Sequence, residues 1–247
     1  MSTEKIYKAV LRVAKTAYPK KPFSTHLDIG SGSGRLIGLF KERFGVQSHA
    51  CDYTTTLMEL DGQTVEKVDL NRDKLPYQDD SFDMVTATEL IEHMENYRAL
   101  LAEIYRVLKP DGMCILSTPN VLSINSRLRY LWFGFPDLFG PLPVGKRMLH
   151  AATGHVTPVP YFYLAHALME TGFSSVSLSF DKYQRSGIAK LVFFLLPVKL
   201  LGALALKKEI SKYHTMDEKN FRLVTATNSL GMLLSRTIIV SAKKEKT

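Results

Sequence analysis

The chain has 247 residues, of which 45% are hydrophobic and 23% are charged, an ordinary globular composition with enough apolar material for one sizeable core. Residues 1–180 carry 19 Lys and Arg against 19 Asp and Glu, whereas residues 181–247 carry 13 against 5, so the whole formal charge of +8 lies in the last quarter. Such asymmetry indicates a negatively charged partner, either a membrane surface or a nucleic acid.

Cysteine usage and the N-terminal stretch argue against a secreted protein. Cys51 and Cys114 both lie in apolar, strand-like stretches, which favours buried free thiols in a reducing compartment. The first fifteen residues are charged throughout and have no unbroken apolar run, so they do not read as a secretory signal. We therefore expect a cytoplasmic protein.

The first elements set up a nucleotide-type turn. Apolar residues at three-to-four spacing predict an amphipathic helix over Glu4–Ala17, ended by Pro19. A strand over Thr25–Ile29 then runs into a glycine-rich loop and a helix over residues 33–44. Strand, glycine loop and helix in this order bring main-chain N–H groups close to a bound nucleotide-like ligand.

The following segments continue the alternation of strands and helices. A second strand over residues 46–51 ends in Asp52, about 20 residues beyond the glycine loop, where a carboxylate can bridge ribose hydroxyls. Further strands are predicted over residues 65–70, 82–86 and 113–117, with a helix opening at residues 89–96, continuing to 108 and followed by a breaker turn. Alternating strands and helices predict a parallel, doubly wound sheet.

Four stretches carry a specific resemblance: LDIGSGSG, the acid Asp52, VDLNRDKLPYQDDSFDMVTATELIEHMEN and LLAEIYRVLKPDGMCILSTPN. In this order they resemble the motif series of class I S-adenosylmethionine-dependent methyltransferases. The resemblance implies an α/β fold, a Rossmann-like sheet of seven strands, six parallel and the last antiparallel. It also implies that S-adenosylmethionine is the cofactor, with S-adenosylhomocysteine as product. The residues implied to bind it are Asp28, Gly30, Gly32 and Gly34 on the methionine side, Asp52 at the ribose, Asp69 and Leu70 at the adenine, and Thr88 at the pocket floor.

Glu89, Glu92 and His93 form an ExxEH pattern that would share one face of a helix. The pattern is similar to the divalent-metal motif of ubiquinone-pathway O-methyltransferases and of small-RNA 3′-terminal 2′-O-methyltransferases; in the latter a second histidine follows, and His155 stands in that place. The resemblance implies a Mg²⁺, Mn²⁺ or Zn²⁺ site built from Glu89, Glu92, His93 and His155, with His93, His155 and Glu89 as catalytic residues. The alternatives are a metal-free catalytic or positioning His93, or purely structural roles.

Two insertions depart from the common core. Residues 121–158 begin with arginines among aromatic residues and are predicted to form a substrate lid, in which Arg127, Arg129 and Trp132 would contact the acceptor; a core-covering helix is the alternative. A helix over Tyr161–Thr171 and a sixth strand over Phe173–Phe180 follow, and residues 236–242 form a seventh strand. The helical insertion between strands six and seven spans residues 184–232.

The second insertion holds the most apolar stretch of the chain, residues 187–206, interrupted by Lys190, Pro197 and Lys199. With its basic flanks it predicts an element lying in the interface of an anionic membrane, or a hydrophobic hairpin dipping into that membrane. An extra helix pair on the sheet or in a dimer interface is the alternative. A nucleic-acid surface is less favoured, because the basic residues flank aliphatic runs.

These patterns together predict one methyltransferase domain over residues 1–247 that methylates an oxygen. The expected acceptor is a hydroxyl of a lipid-linked, glycan or quinone-type molecule near the membrane, to which the protein would attach peripherally. The alternatives are a 2′-O-methyltransferase acting on RNA ends and a non-catalytic, membrane-attached scaffold that keeps the cofactor fold.

Overall fold

A computed structural model describes residues 3–18, 23–145 and 154–246 of the chain. They contain a seven-stranded sheet in the order β3-β2-β1-β4-β5-β7-β6. The strands are β1 (Thr25–Ile29), β2 (Gln47–Asp52), β3 (Glu66–Lys67), β4 (Phe82–Thr88), β5 (Leu108–Pro119), β6 (Phe173–Phe180) and β7 (Thr237–Lys244). The helices are α1 (Glu4–Ala17), α2 (Arg35–Phe44), α3 (Tyr97–Val107), α4 (Ile124–Phe133), α5 (Tyr161–Thr171), α6 (Arg185–Lys208), α7 (Glu218–Ala226) and α8 (Leu230–Leu234).

The sheet has the predicted topology. β1 to β5 pair in parallel, and β7 runs antiparallel to both of its neighbours, β5 and β6. Six strands therefore point their carboxyl ends to one edge of the sheet, which is the edge where ligands bind in open α/β sheets. We call it the carboxyl edge.

Helices cover both faces of the sheet with separate apolar layers. On one face α1 and α2 pack through residues such as Val10 and Phe40, both fully buried. On the other face α3 and α5 pack through residues such as Ile104 and Leu164, also fully buried. Cys51 and Cys114 are buried free thiols in this layer, as predicted. Burial on both faces explains why the central strands read as continuous apolar runs.

Most predicted elements agree with the structure, and α1, β1, α5 and β6 agree to the residue. The helix expected to open at residues 89–96 is wrong. Glu89 has a φ of 52°, a single 3₁₀ turn covers Ile91–His93, and α3 begins only at Tyr97, where Asn96 Oδ1 accepts from the Ala99 N–H. The left-handed residue breaks the helical path, so the ExxEH pattern does not lie on one helix face. The expected breaker turn before the fifth strand is instead part of β5.

The described parts of both insertions contain helices. Residues 121–158 contain α4, and residues 146–153 of this predicted lid lie outside the described residues. Residues 184–232 contain α6, a π-helical turn over Glu209–Tyr213, α7 and most of α8. In the described part of the chain one helical stretch, Arg185–Tyr213, is long and apolar enough by composition to cross a membrane.

Candidate active site at the carboxyl edge

The glycine loop folds back over the end of β2. Gly30 N–H donates to the Cys51 carbonyl over 2.8 Å, and Gly32 N–H donates to Asp52 Oδ2 over 3.0 Å. Gly30, Gly32 and Gly34 have φ values of 70°, 49° and 76°, a region that favours glycine. A Cβ on Gly32 would meet no atom within 4 Å, so this glycine faces open space at the carboxyl edge. The predicted methionine loop and the predicted ribose carboxylate are therefore in direct contact.

Asp28 lies at the end of β1, beneath this loop, and is buried. Thr86 Oγ1 donates to its Oδ1 over 2.6 Å. Burial raises the pKa of Asp28 to about 7, with a further contribution from the Asp52 charge and a partial offset from the Thr86 hydrogen bond. Nearby in the loop, the Ser31 hydroxyl is buried, and none of the described residues hydrogen-bonds to it. A buried carboxyl of raised pKa and an unpartnered hydroxyl are features of a site that a polar ligand completes.

The other predicted cofactor residues surround the same edge. Asp69 Oδ1 accepts from the Asn71 N–H over 3.1 Å, and Leu70 packs on the main apolar layer. Thr88 ends β4 and is buried. These positions are consistent with the predicted adenine and floor roles, which stay predictions.

Beyond β4, three potential ligand groups converge. One donor atom each from Glu92, His93 and His155 lie within 4.8 Å of one another. The segment carrying His155 is held there by the main chain, because the Val156 and Thr157 N–H groups donate to the Glu92 carbonyl over 2.8 and 3.0 Å. The fold thus brings His155 to the ExxEH turn, as the sequence predicts.

The hydrogen bonds of both histidines fix which ring nitrogen is available. Nδ1 of His93 lies 3.1 Å from the Gly154 carbonyl, and Nδ1 of His155 lies 2.8 Å from the Leu138 carbonyl. A carbonyl can only accept, so each Nδ1 carries the proton and each Nε2 of the neutral ring keeps its lone pair. Burial lowers the pKa of both histidines, and for His93 the neighbouring His155 adds to the effect. The lowered pKa favours the neutral form of both rings, in which Nε2 can accept a hydrogen bond or ligate a metal.

The two glutamates differ in their partners. Glu92 is fully buried and Thr118 Oγ1 donates to its Oε2 over 3.0 Å, whereas its Oε1 has no hydrogen-bond partner within the described part of the chain. Glu89 accepts from Ser117 Oγ over 3.2 Å and lies outside the three-residue group. Burial raises the pKa of Glu89 to about 7, and burial together with the Glu89 charge raises the pKa of Glu92 well above its ordinary range. The four-residue set predicted for a metal thus reduces to three.

Sequence reasoning missed three residues at this edge. Asp181 follows β6 and Thr237 begins β7, and the Thr237 N–H donates to Asp181 Oδ1 over 3.0 Å. Asp181 Oδ2 and the Thr237 hydroxyl are buried and find no hydrogen-bond partner in residues 3–18, 23–145 and 154–246. The charges of Asp181 and Arg236 both act on the pKa of Glu89. Only the closure of the sheet by β7 brings them to Glu89, and no local motif marks them.

The predicted acceptor residues are placed differently from one another. Arg127 donates to the Leu122 and Thr227 carbonyls over 2.8 and 2.6 Å, and Arg129 donates to the Pro136 and Phe139 carbonyls. Both guanidinium groups hold the main chain around α4, and the Arg129 loop supports His155, since Phe139 packs 5.3 Å from the His155 ring. Trp132 is instead 65% exposed. Contact with an acceptor stays a prediction for all three.

Comparison with known protein families gives one domain match. Residues 27–116 match the model of a family described as a methyltransferase domain. The chain is 28% identical over 169 residues to the ubiquinone/menaquinone biosynthesis C-methyltransferase UbiE of Desulfotalea psychrophila, covering 65% of this chain and 64% of that protein. It is 29% identical over 167 residues to the demethylmenaquinone methyltransferase of Listeria monocytogenes, covering 61% of this chain and 70% of the relative. The chain therefore spans roughly two thirds of the length of these relatives, and slightly less for the first.

Solved structures share the fold. A SAM-dependent methyltransferase from Archaeoglobus fulgidus superimposes with a TM-score of 0.61 at 20% identity, covering 98% of this chain and 95% of that one. Phosphoethanolamine N-methyltransferase 2 of Haemonchus contortus, in complex with S-adenosyl-L-methionine, superimposes with a TM-score of 0.55 at 17% identity, covering 96% of this chain and 52% of that one. The sheet and its helices are thus those of methyltransferase structures over nearly the whole chain.

Proposed function

We propose that this chain is a class I S-adenosylmethionine-dependent methyltransferase, as the match of residues 27–116 to a methyltransferase domain supports, and that it transfers a methyl group from S-adenosylmethionine to a hydroxyl oxygen. The observation that carries the proposal is the carboxyl edge itself, where the open glycine loop with Asp28 and Asp52 adjoins a cluster of one buried carboxyl and two half-buried imidazole groups. The acceptor is a lipid-linked, glycan or quinone-type hydroxyl near the membrane.

The chemistry needs alignment more than activation. The sulfonium methyl is already electrophilic, so the acceptor oxygen attacks the methyl carbon, the C–S bond breaks, and sulfur keeps the electron pair. The products are a methyl ether and S-adenosylhomocysteine, and one proton must leave the acceptor. Glu89, with a pKa of about 7, is the group suited to receive that proton near neutral pH.

The three-residue group fits a divalent cation. Glu92 Oε1 is buried without a hydrogen-bond partner among the described residues, and the Nδ1 contacts leave each Nε2 as the acceptor of its neutral ring, so the donor set is one carboxylate and two imidazoles. Zn²⁺, Mn²⁺ or Mg²⁺ would be held by Glu92, His93 and His155. When bound, such an ion lowers the pKa of a hydroxyl and orients it. Without an ion, the same residues can position the hydroxyl by hydrogen bonds.

A second candidate is supported by the relatives, since the Desulfotalea protein is named as a C-methyltransferase of quinone biosynthesis. Transfer to a ring carbon of a quinone-type acceptor needs a base as well, and Glu89 would serve in the same role. The two candidates differ in product, because a methyl ether and a C-methyl ring separate by mass spectrometry fragmentation.

The test starts with the cofactor. Calorimetric titration with S-adenosylhomocysteine should show binding, and its absence would end the proposal. Methyl transfer is then followed from labelled S-adenosylmethionine into lipid, quinone and RNA fractions, so that label in RNA alone would favour the 2′-O-methyltransferase alternative.

Two variants test the buried cluster. Glu89→Gln should lower kcat by about 100-fold, within the usual range for a general base, and leave S-adenosylhomocysteine affinity unchanged. Glu92→Gln should abolish Zn²⁺ or Mn²⁺ binding measured by calorimetry and elemental analysis, while Glu95→Gln, at an exposed glutamate three residues further on, should not. If the protein is metal-free by elemental analysis after EDTA treatment and is still active, the metal is not required for the reaction.

A further inference from the structure

We propose that α6 and the aromatic end of α4 form a docking surface for an anionic lipid bilayer, entering one leaflet only. We call this surface the apolar platform; its most exposed members are Val192, Phe193, Leu196 and Leu201 on α6 and Leu131 and Trp132 on α4. The inference rests on the proposed function only in its last step, where the lipid surface supplies the acceptor.

The platform is apolar because α6 packs along one narrow face. Gly187 and Leu191 are its buried residues, and Leu191 meets Leu128 of α4 and Leu233 of α8. The remaining faces carry large apolar side chains into solvent, with Val192 and Phe193 each 77% exposed. Monomeric soluble proteins rarely leave so large a contiguous apolar area uncovered, and such patches mark interaction sites.

The two helices form one continuous surface. A groove of about 630 Å³ lies between them, lined by Trp132 and Phe133 of α4 and by Gln184, Ser186 and Lys190 at the start of α6. Lys190 Nζ donates to Asn125 Oδ1 of α4 over 2.8 Å and ties the two walls together. The exposed aromatic end of α4 therefore continues the exposed side of α6.

The basic residues around the apolar platform indicate which partner it binds. Residues 182–208 contain six basic residues, Lys182, Arg185, Lys190, Lys199, Lys207 and Lys208, and no acidic residue. An anionic bilayer complements an apolar face with basic ends, since lysines remain at the headgroup level while apolar side chains enter the acyl boundary. In a second copy of this chain the same basic residues would face one another across a symmetric contact, which is unfavourable. Both observations favour lipid over self-association.

The sheet topology limits how deeply α6 can enter the bilayer. The 24 residues of α6 would measure about 36 Å at 1.5 Å per residue, enough to cross the hydrocarbon core. However, β6 before the insertion and β7 after it are neighbours in one sheet, with Phe180 opposite Ile238, so both ends return to the same side. A crossing would need a second span, and α7 has only nine residues. The helix must therefore lie in the interface of one leaflet.

The platform starts at the same sheet edge as the active site. β5 and β6 are parallel to each other, because each pairs antiparallel with β7. The carboxyl end of β5, which leads into α4, and that of β6, which leads into α6, therefore both lie at the carboxyl edge. Arg129 of α4 supports the loop whose Leu138 carbonyl binds His155. An amphiphile with a hydroxyl in its head and its chain in the bilayer would reach the site from the membrane. The acceptor class inferred is thus a lipid-soluble alcohol or phenol.

The test uses the full chain and vesicles of phosphatidylglycerol or of phosphatidylcholine. Trp132 is the chain's single tryptophan, so its emission reports on the platform directly. Phosphatidylglycerol vesicles should sediment the protein and shift this emission to shorter wavelength, and brominated acyl chains should quench it. Phosphatidylcholine vesicles should bind at least tenfold more weakly.

Matched variants make the test specific. Leu196→Glu, at a position 75% exposed, should reduce vesicle binding at least tenfold, whereas Tyr163→Glu, at a position 58% exposed on α5 and outside the platform, should not. Lys207→Gln and Lys208→Gln should each weaken binding about fivefold. Circular dichroism and S-adenosylhomocysteine titration check that the variants fold.

Two outcomes overturn the inference. One is protein that stays in the supernatant with both lipids, and the other is a Leu196→Glu protein that binds vesicles like the wild type. A wild-type dimer that this substitution splits, with no vesicle binding, would assign the platform to a second copy instead. Failure of the proposed function looks different, since vesicle binding would then persist while S-adenosylhomocysteine binding or methyl transfer is absent.

Discussion

Replacing Asp28 with asparagine should stabilise the ligand-free protein at alkaline pH and weaken cofactor binding. In the folded chain Asp28 is buried and its pKa is about 7, against an ordinary value of 3.8. A carboxyl that holds its proton more tightly when folded contributes stability that is fully present below pH 3.8 and is lost as the pH rises to about 7. Above pH 7 the buried charge is a constant penalty.

The size of the penalty follows from the two pKa values. At 1.36 kcal/mol per pH unit, the interval from 3.8 to about 7 corresponds to about 4 kcal/mol. Asparagine cannot ionise, and its Oδ1 can still accept the Thr86 hydrogen bond, while its amide needs an acceptor that the carboxylate did not. We therefore expect Asp28→Asn to raise the free energy of unfolding by about 2 kcal/mol at pH 8 and to change it little or lower it slightly at pH 4.

Urea denaturation of both proteins from pH 4 to pH 9, without ligand, measures this difference. The effect on cofactor binding is measured by titration with S-adenosylhomocysteine. Loss of the carboxylate that pairs with the ligand ammonium should weaken binding 10- to 100-fold. Equal pH slopes for the two proteins would refute the buried-charge reasoning. Unchanged affinity would remove Asp28 from the methionine side.

Three further changes test the loop and its surroundings. Gly34→Ala places a Cβ 2.5 Å from Met58 Sδ at a φ of 76°, so thermal unfolding should show a loss of about 1–2 kcal/mol together with weaker S-adenosylhomocysteine binding. Asp52→Ala removes the partner of the Gly32 N–H, and calorimetry should show at least tenfold weaker binding; equal affinity would discard the ribose role. Arg127→Lys loses the forked contacts to buried carbonyls and should cost about 2 kcal/mol in urea denaturation with ligand affinity unchanged, whereas a selective loss of acceptor turnover would restore its substrate role.

Elements with local signals were predictable to the residue. α1 carries a regular apolar spacing and ends before Pro19, and α5 ends at Gly172, whose φ of 109° suits a helix C-terminus. The helix predicted over residues 89–96 was wrong because their composition is compatible with a helix. Glu89 instead adopts a left-handed conformation that no local signal encodes. Its N–H instead donates to the Ser117 carbonyl and hydroxyl of β5, both contacts over 3.0 Å, which local sequence does not specify.

The sequence by itself predicted the sheet topology through its resemblance to the methyltransferase motif series. It also determined the contact between the glycine loop and Asp52, because both lie within one β-α-β unit, where short-range spacing dictates geometry. The sequence grouped Glu89, Glu92, His93 and His155, and only the tertiary structure decided which of them converge beyond β4. The tertiary structure joined His155 to Glu92 through main-chain hydrogen bonds, left Glu89 outside that group and brought Asp181 beside it. The physical reason is that such contacts depend on how distant strands pair and on which polar groups lose their contact with water on burial. Neither can be predicted from residues adjacent in the sequence.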